Sequence, residues 1–443
     1  MLGKLKQYLF GSIFRKGATL LTALTLGSYI LGLARDMLFA RFFGASRILD
    51  IYNAAFIVPD ILLNVFVAGA LTAAFVPIFT HLHATGEEKE AEKVATTMLY
   101  AAPVTMGIIA IPALIFMPWL SNLVAPGFSG EERNLLVLLS RLMLLSPIIF
   151  AASNTLGNIL VSYEKFFGYG FSPILYNLGI IAGIPLTVYF GPVGLVMGTL
   201  SGAFLHLLVR IVATAESKFR QHFPIDLKNK NFLKILKLMI PRMAGQPIEQ
   251  ITFFVFTSMA STLAIGSIAV LNFARNFESV PVSIFGISFS TAIFASLSRK
   301  AALKDREGFL FHLKETAKAL ILVSTVSTLF YIFFGEFFIK IFLGGGRFTQ
   351  TDVIRTGKLL AIFALAIPAE SFIHLLVRAF YALKDTWTPI LVSIPGLLLI
   401  ISLSKILIPT LSLNALALSY SIGVTLEALI LFLILRKKLA SLG

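Results

Sequence analysis

The chain has 443 residues, no cysteine and a net charge of +15; 57% of its residues are hydrophobic and only 13% are charged. Soluble globular proteins carry roughly 25% charged residues, so this composition excludes a soluble enzyme with one membrane anchor and predicts an all-α protein that crosses the membrane many times. The lack of cysteine excludes disulfide bonds, thiolate metal sites and cysteine nucleophiles.

Hydropathy over a window of about 19 residues predicts twelve membrane-spanning helices, which we number spans 1 to 12 in chain order. We expect them near residues 18–43, 50–79, 94–124, 132–162, 168–190, 192–214, 232–263, 266–297, 309–343, 352–382, 386–409 and 411–435.

Lysine and arginine in the short loops predict the orientation, because cytoplasmic loops of membrane proteins are rich in both. One side collects most loop cations, at 4–16, 89–93, 218–237, 299–306, 384 and 436–438, whereas the other has little beyond Arg47, Arg133 and Arg347. We therefore predict that both termini are cytoplasmic and that most of the positive charge reports topology. The basic N-terminus lacks a small-residue cleavage site, so we expect it to be retained.

The sequence repeats itself at about half its length. PDILLNVFVAGALTAAF (59–75) resembles PVSIFGISFSTAIFASL (281–297) at an offset of 222, and Pro147 matches Pro368 at an offset of 221. We predict two six-helix lobes, residues 1–215 and 232–443, joined by a basic cytoplasmic linker at 216–231. Both lobes begin on the same side of the membrane, and such parallel repeats are typical of transporters.

Several charged residues lie inside the predicted spans, where each costs at least about 2.5 to 3.5 kcal/mol at the helix centre. They are Arg35 and Asp36 in span 1, Arg242 and Glu249 in span 7, Arg275 and Glu278 in span 8, and Glu370, His374 and Arg378 in span 10. Arginine binds phosphate oxygens in a planar, bidentate manner, so these arginines predict a cavity for a phosphate or diphosphate. The alternative is that Arg35 with Asp36, and Arg275 with Glu278, are neutralising pairs that only fix helix packing.

Nothing in the sequence predicts a nucleotide site, a metal site or a nucleic-acid partner. The glycines at 344–346 precede Arg347 rather than the Lys-Ser/Thr of a phosphate-binding loop, so we interpret them as a turn in an outer loop. Energy for transport would then come from Na⁺, H⁺ or the membrane potential. Glu370, His374 and Asp385 are candidates for ion coupling.

Six stretches carry a family resemblance across nearly the whole chain. They are LGLARDMLFARFFGAS (31–46) followed by Asp50 and Tyr52, VPDILLNVFVAGALTAAFVPIF (58–79), PRMAGQPIEQITFFVFTSMAS (241–261), VPVSIFGISFSTAIFASLS (280–298), GRFTQTD (346–352) and AFYALKDTWTP (379–389). In this order they resemble the MurJ (MviN) family of lipid II flippases.

The resemblance implies a fold of the MOP superfamily, in which two six-helix lobes surround a central cavity that opens alternately to each side. It implies a transporter of the bacterial cytoplasmic membrane rather than an enzyme. The substrate would be lipid II, a disaccharide-pentapeptide on undecaprenyl diphosphate, used in peptidoglycan synthesis. In the family, a cavity arginine near the position of Arg35 and another in span 8 are essential. Asp50 matches an acidic position of the family. Combined with the buried charges, this predicts a substrate-binding set of Arg35, Asp36, Asp50, Arg242, Glu249, Arg275, Glu278 and Arg378.

The sequence departs from the family pattern at several positions. Tyr29 stands where the family often has arginine, and Leu63 stands where some members have one. Arg275 precedes Asn276, whereas the family usually has the arginine second. Many members have two further C-terminal helices, so we expect the lobes themselves or a lateral gap to recognise the lipid tail here. The alternatives are a flippase for another polyprenyl-diphosphate-linked glycan, a MATE-like drug antiporter, which predicts an acidic cavity, and a membrane glycosyltransferase or ligase, which predicts long outer loops.

Overall fold

The computed structural model describes residues 13–65, 69–245 and 247–440, and this part of the chain is built from helices. It contains no strand within those ranges, and its one β-bridge joins Gly345 and Phe348 in the turn after span 9. The all-α architecture predicted from the sequence is confirmed.

Ten of the predicted spans are helical segments in the described residues that are long and apolar enough to cross a membrane. Seven run without interruption: Ile13–Phe43, Glu88–Val124, Phe166–Phe190, Val193–Ala215, Arg306–Phe342, Trp387–Leu411 and Asn414–Ala440, which are spans 1, 3, 5, 6, 9, 11 and 12. Span 4 consists of Gly130–Met143 and Leu145–Ser162, span 8 of Ser267–Pro281, a π-helical turn at Val282–Ile287 and Ser288–Ala302, and span 10 of Gln350–Phe363, a 3₁₀ turn at Ala364–Ala366 and Ile367–Ala382.

Span 2 differs from the prediction of a single continuous helix. A turn at Phe56 separates Arg47–Ala55 from Ile57–Leu63, and Gly69–Ala84 follows residues 66–68, which lie outside the described part of the chain. Span 7 is described as Lys230–Gly245 and Pro247–Ser261, and residue 246 between them also lies outside the described residues.

The internal repeat is visible in where the helices are interrupted. Spans 4 and 10 both break just before their matching prolines, Pro147 and Pro368. A π-helical turn covers Asn64 and Val65 in span 2, and the offset of 222 places their counterparts within the π-helical turn of span 8. The two halves of the chain therefore share local backbone irregularities as well as hydropathy.

Spans 2, 4, 8 and 10 also end in the same way. Each exit has a residue with positive φ, followed by a residue whose N–H bonds the carbonyl five positions earlier, as in a Schellman motif. The positive-φ residues are Gly86, Glu164, Lys304 and Lys384, and the hydrogen bonds are Glu87 to Leu82, Lys165 to Leu160, Asp305 to Lys300 and Asp385 to Phe380. These matching exits extend the repeat to the loops that follow.

The helices form two compact units. Unit 1 comprises the chain up to Phe42 together with Ile51–Gln250, and unit 2 comprises Phe43–Asp50 and the chain from Ile251 onward. The first half of span 7 packs against span 2 and so belongs to unit 1. The lobe boundaries predicted around 216–231 describe the sequence repeat and stay a prediction, whereas the compact units divide at residue 250.

Each unit has its own apolar core. In unit 1 the buried side chains come mainly from spans 2, 3 and 4 and include Phe75, Phe79 and Met98. In unit 2 they come mainly from spans 8, 9, 10 and 12 and include Leu297, Phe309 and Phe380. The charged residues of interest are held on the helices that surround these cores.

Spans 5 and 6 approach each other so closely that residues larger than glycine would not fit where the two backbones meet. Glycines line both surfaces, and a Cβ atom on Gly198 would overlap the backbone of Gly183, just as one on Gly179 would overlap Gly202. Small residues at four-residue spacing allow such backbone contact between membrane helices. This rigid pair carries Asn177, which takes part in the site described below.

We predict that Gly198→Ala destabilises unit 1, because the added methyl group forces these helices apart. The expected loss is about 1 to 3 kcal/mol, as for other overpacked sites, and it is measured by thermal unfolding in detergent. Gly107→Ala is the matched control, since its Cβ would lie 4.0 Å from Ile148 Cδ1 in ordinary contact. Equal stability of the two variants would contradict the close packing.

Candidate functional site

Arg35 lies inside span 1, and its guanidinium is held by two polar partners. Nε and Nη2 donate to Asp36 Oδ1 at 2.9 and 2.8 Å, and Nη1 donates to Asn177 Oδ1 at 3.2 Å. Asn177 in span 5 is itself oriented by hydrogen bonds to Ser28 and to the carbonyl of Pro173. The predicted pairing of Arg35 with Asp36 is therefore present, and Asn177 is a partner that the sequence did not suggest.

The geometry leaves Arg35 with capacity to bind an anion. A guanidinium has five N–H donors, and the contacts to Asp36 and Asn177 use three of them. One N–H on Nη1 and one on Nη2 remain without an acceptor among the described residues, and 25% of the Arg35 side chain is exposed. An unused N–H on each terminal nitrogen allows the guanidinium to donate two hydrogen bonds to phosphate oxygens.

Arg275 in span 8 has different surroundings, because two carboxylates share it. It contacts Glu278 through Nη1, and Nη1 and Nη2 donate to the two oxygens of Glu370 in span 10 at 3.2 and 3.1 Å. Tyr420 in span 12 donates to Glu370 at 3.0 Å, and the rings of Phe253 and Tyr420 lie 4.8 and 5.1 Å from the Arg275 guanidinium carbon. This cluster joins residues that the sequence suggested separately for substrate binding and for ion coupling.

The cluster neutralises Arg275 more completely than the sequence predicted. Only 13% of the Arg275 side chain is exposed, and Glu278 is fully buried. One positive charge faces two carboxyl groups, so the guanidinium fork is already occupied by protein oxygens. The arrangement favours the alternative that Arg275 and Glu278 fix helix packing in unit 2.

Asp50 is buried and caps the helix that begins span 8. Its carboxylate oxygens accept hydrogen bonds from the backbone N–H groups of Gly266 and Ala269 at 2.7 and 2.9 Å, and Arg47 lies 3.8 Å away. A carboxylate at a helix N-terminus satisfies unpaired N–H groups and interacts favourably with the helix dipole. These contacts give Asp50 a structural role within unit 2, and its predicted role in substrate binding stays a prediction.

The other predicted substrate residues lie on spans 7 and 10. Arg378 in span 10 is half-buried and lies 5.8 Å from the Phe294 ring, and Glu249 in span 7 is exposed. The side chain of Arg242 falls outside the described residues. His374 is half-buried one helical turn after Glu370. The substrate and coupling roles of these residues stay predictions.

Asp385 follows span 10 and caps the start of span 11. It accepts hydrogen bonds from the Thr388 backbone and hydroxyl at 3.0 and 2.7 Å, and from Lys438 Nζ at 2.5 Å. Burial opposes ionisation, but the hydrogen bonds from Lys438 and Thr388 outweigh it and lower the pKa of Asp385 to about 2. A carboxylate that remains ionised at neutral pH is poorly suited to carry a proton, so these contacts do not support its predicted coupling role.

Arg210 in span 6 is a buried cation that the sequence analysis missed. Its Nε donates to Ser172 Oγ at 2.9 Å, and its Nη1 donates to the Ser153 carbonyl at 2.9 Å and to Asn154 Oδ1 at 3.1 Å. Its side chain stacks on Tyr169, and only 4% of the residue is exposed. The criterion applied to spans 1 and 8, an arginine within an apolar run, would have found it. Its neutral acceptors connect spans 4, 5 and 6.

No group of three or more metal-ligating side chains occurs within the ranges that the structure describes. Arg35, Arg275 and Arg210 each have several polar partners in these ranges. Of these three, Arg35 has the geometry that best suits a bound anion.

We predict that Arg275→Ala destabilises unit 2, because it leaves Glu278 and Glu370 without their cation. Removing one partner of a buried ion pair costs about 3 to 5 kcal/mol, which thermal unfolding in detergent measures. Arg378→Ala removes an arginine of the same unit whose contact among the described residues is with the Phe294 ring, so a loss of about 1 kcal/mol or less is expected. Similar losses in the two variants would argue against the cluster.

We also predict that Asp385→Asn makes the protein less stable at neutral pH by about 1 to 3 kcal/mol. The lowered pKa means that ionised Asp385 stabilises the fold above its ordinary pKa of about 4 and loses this effect as the pH falls towards 2. The difference between wild type and variant should therefore shrink on acidification in unfolding measurements. Glu315→Gln, at an exposed pair with Lys318, is the control and should change little. A difference that does not vary with pH would contradict the assignment.

Known proteins resemble this chain over nearly its whole length. The family model described as "Lipid II flippase MurJ" matches residues 39–442. A "Probable lipid II flippase MurJ" from Borreliella burgdorferi is 28% identical over 94% of this chain and 82% of that protein. A "Lipid II flippase MurJ" from Thermosipho africanus is 31% identical over 87% of this chain and 77% of that protein.

Solved structures agree with these sequence relatives. A lipid II flippase MurJ in an inward closed conformation has a TM-score of 0.81 and 28% identity, covering 96% of this chain and 90% of that chain. An inward-facing MATE family multidrug resistance transporter of the MOP superfamily has a TM-score of 0.80, covering 96% and 98%, at 17% identity. At that identity the second likeness shows the fold alone. The predicted MOP fold is confirmed.

Proposed function

Because the chain belongs to the lipid II flippase MurJ family, we propose that it carries lipid II from the cytoplasmic to the outer leaflet of the bacterial cytoplasmic membrane. It is a membrane protein with many spans, as its ten long apolar helices show. The substrate is a disaccharide-pentapeptide linked to undecaprenyl diphosphate, which supplies peptidoglycan synthesis. Both termini are cytoplasmic in this proposal, in keeping with the loop cations.

The observation that carries the proposal is the arrangement of Arg35. Its guanidinium is oriented by Asp36 and Asn177 and retains two N–H donors for a ligand. The diphosphate of lipid II is the anionic part of the substrate that a bidentate donor suits. Since arginine is charged at any working pH, this contact forms without a proton-transfer step.

The transport cycle in this proposal is alternating access, with the headgroup diphosphate bound by arginine and the prenyl chain kept in the bilayer. The driving force is an ion, Na⁺ or H⁺, or the membrane potential. Moving one charge through 100 mV is worth about 2.3 kcal/mol, which is enough to bias such a cycle. Glu370 and His374 remain the candidate coupling residues, and no chemical step is required of the protein.

The same chemistry fits a flippase for another polyprenyl-diphosphate-linked glycan, since the diphosphate is shared. A MATE-like antiporter for cationic drugs is less suited to a site whose available donors are those of an arginine. The substrate test below therefore compares lipid-linked glycans rather than drugs.

We predict that Arg35→Ala reduces transport by at least about tenfold, the effect of losing about 1.4 kcal/mol or more of charge-assisted hydrogen bonding. Arg35→Lys should also fail to restore full transport, because a lysine keeps the charge but lacks the planar fork. The measurement is exposure of lipid II at the outer face of cells depleted of their own flippase, with each variant present at equal amounts in the membrane.

Arg41→Ala is the matched control, since Arg41 is an exposed residue of the same helix and has no part in the site. It should transport as well as the wild type. Full transport by Arg35→Ala would contradict the diphosphate contact. Failure of the wild-type protein to expose lipid II, together with transport of another polyprenyl-diphosphate glycan in the same assay, would favour the alternative substrate.

A further inference from the structure

The linker at residues 216–231 packs against the first turns of span 3, and its path follows that helix towards its apolar part. The backbone N–H of Arg220 donates to Glu92 Oε1 at 2.8 Å, and that of His222 donates to Thr96 Oγ1 at 3.1 Å. The ring of Phe223 then lies 5.6 Å from that of Tyr100. The chain thus ascends along span 3 by about two turns between Arg220 and Phe223.

The linker then turns back in the opposite direction along the same helix. The backbone N–H of Asp226 donates to Thr97 Oγ1 at 3.3 Å, its carboxylate lies 3.5 Å from Lys93 Nζ, and Asn229 donates to Glu90 at 2.8 Å. Phe223, Pro224 and Ile225 therefore form the tip of a loop. This tip reaches further along span 3 than any other part of the linker.

The tip is level with the edge of the apolar surface of span 3. The exposed apolar side chains of this helix begin at Tyr100 and Val104 and continue to Leu123. Val104 to Leu123 covers about 30 Å at 1.5 Å per residue, which matches the hydrocarbon thickness of a bilayer. Tyr100, at the start of this surface, donates to Gln221 of the linker at 2.9 Å and is placed where interfacial tyrosines are typically found.

The linker has an exposed apolar surface with cations on either side of it. Phe223, Ile225 and Leu227 are 63%, 41% and 58% exposed, and the backbones of the nearby residues His222 and Asp226 donate to span 3. The exposed cations on either side are Lys218, Arg220, Lys228 and Lys230. Exposed apolar residues are costly in water, whereas basic residues next to them match the negative charge of anionic lipid headgroups.

We propose that the linker is a membrane-interface anchor, in which Phe223, Ile225 and Leu227 enter the lipid interface and the flanking cations bind anionic phospholipid headgroups. This role is separate from lipid II transport and does not depend on it. Contacts to span 3 hold the loop in position before lipid binds, so little ordering is required on binding.

The test uses the full chain in lipid vesicles with a single tryptophan as the probe. The chain has two tryptophans, Trp119 and Trp387, both exposed on apolar spans, and each is replaced by phenylalanine. Phe223→Trp is then compared with Lys89→Trp, an exposed position on span 3 that lies about 16 Å before Tyr100 along the helix axis. Retention of Trp119 alone is the control for a side chain in contact with lipid.

We expect acyl-brominated lipids to quench Phe223→Trp at least about twice as strongly as Lys89→Trp, with emission shifted to the blue. At equal mole fraction, brominated phosphatidylglycerol among unlabelled phosphatidylcholine should quench more than the reverse mixture. Lys228→Gln with Lys230→Gln should abolish this preference for the anionic lipid.

Equal quenching of Phe223→Trp and Lys89→Trp by brominated lipid would overturn the anchor. Emission from Phe223→Trp that iodide quenches and brominated lipid does not would also overturn it, and is the result expected if this surface binds a soluble protein. Equal quenching by the two lipid mixtures would overturn the preference for anionic headgroups. Since the readout is fluorescence of the assembled protein, loss of transport in any variant does not affect the interpretation.

Discussion

A charged side chain inside the spans needs partners within the protein or a polar cavity, because the hydrocarbon supplies no water to solvate it. Three arginines of the described structure have such partners, each of a different kind. Arg35 pairs with one carboxylate and one amide, Arg275 is shared by two carboxylates, and Arg210 bonds only neutral oxygens. The number of donors left over after this pairing determines what each arginine is able to bind.

The number of carboxylate partners distinguishes arginines that look equivalent in the sequence. Arg35 and Arg275 each have a carboxylate close by on the same helix, yet Arg275 also receives both oxygens of Glu370, which is 95 residues away. The second carboxylate occupies the fork that a phosphate would need. Arg35 in span 1 thus keeps donors that a ligand could use, whereas the cluster in unit 2 connects spans 8, 10 and 12.

Helix termini obey the same constraint as the charges. Asp50 supplies acceptors to the N-terminal N–H groups of span 8, and Asp385 does so for span 11. Asp50 was expected to bind substrate because of the family resemblance, and Asp385 was a candidate for ion coupling. In the structure, both carboxylates accept hydrogen bonds from backbone N–H groups at the start of a helix. In the linker, side chains of span 3 accept hydrogen bonds from backbone N–H groups, while Phe223, Ile225 and Leu227 remain exposed.

The sequence by itself determined the all-α membrane architecture, the repeat and the family, because hydropathy, proline positions and loop charge are local properties of the chain. It also located the pair of Arg35 and Asp36, which are neighbours on one helix. Asn177, Glu370 and Tyr420 became partners only through packing between distant spans, and no spacing in the sequence encodes those contacts. The path of the linker along span 3 was likewise decided by tertiary structure, since it depends on which of its backbone N–H groups find acceptors on that helix.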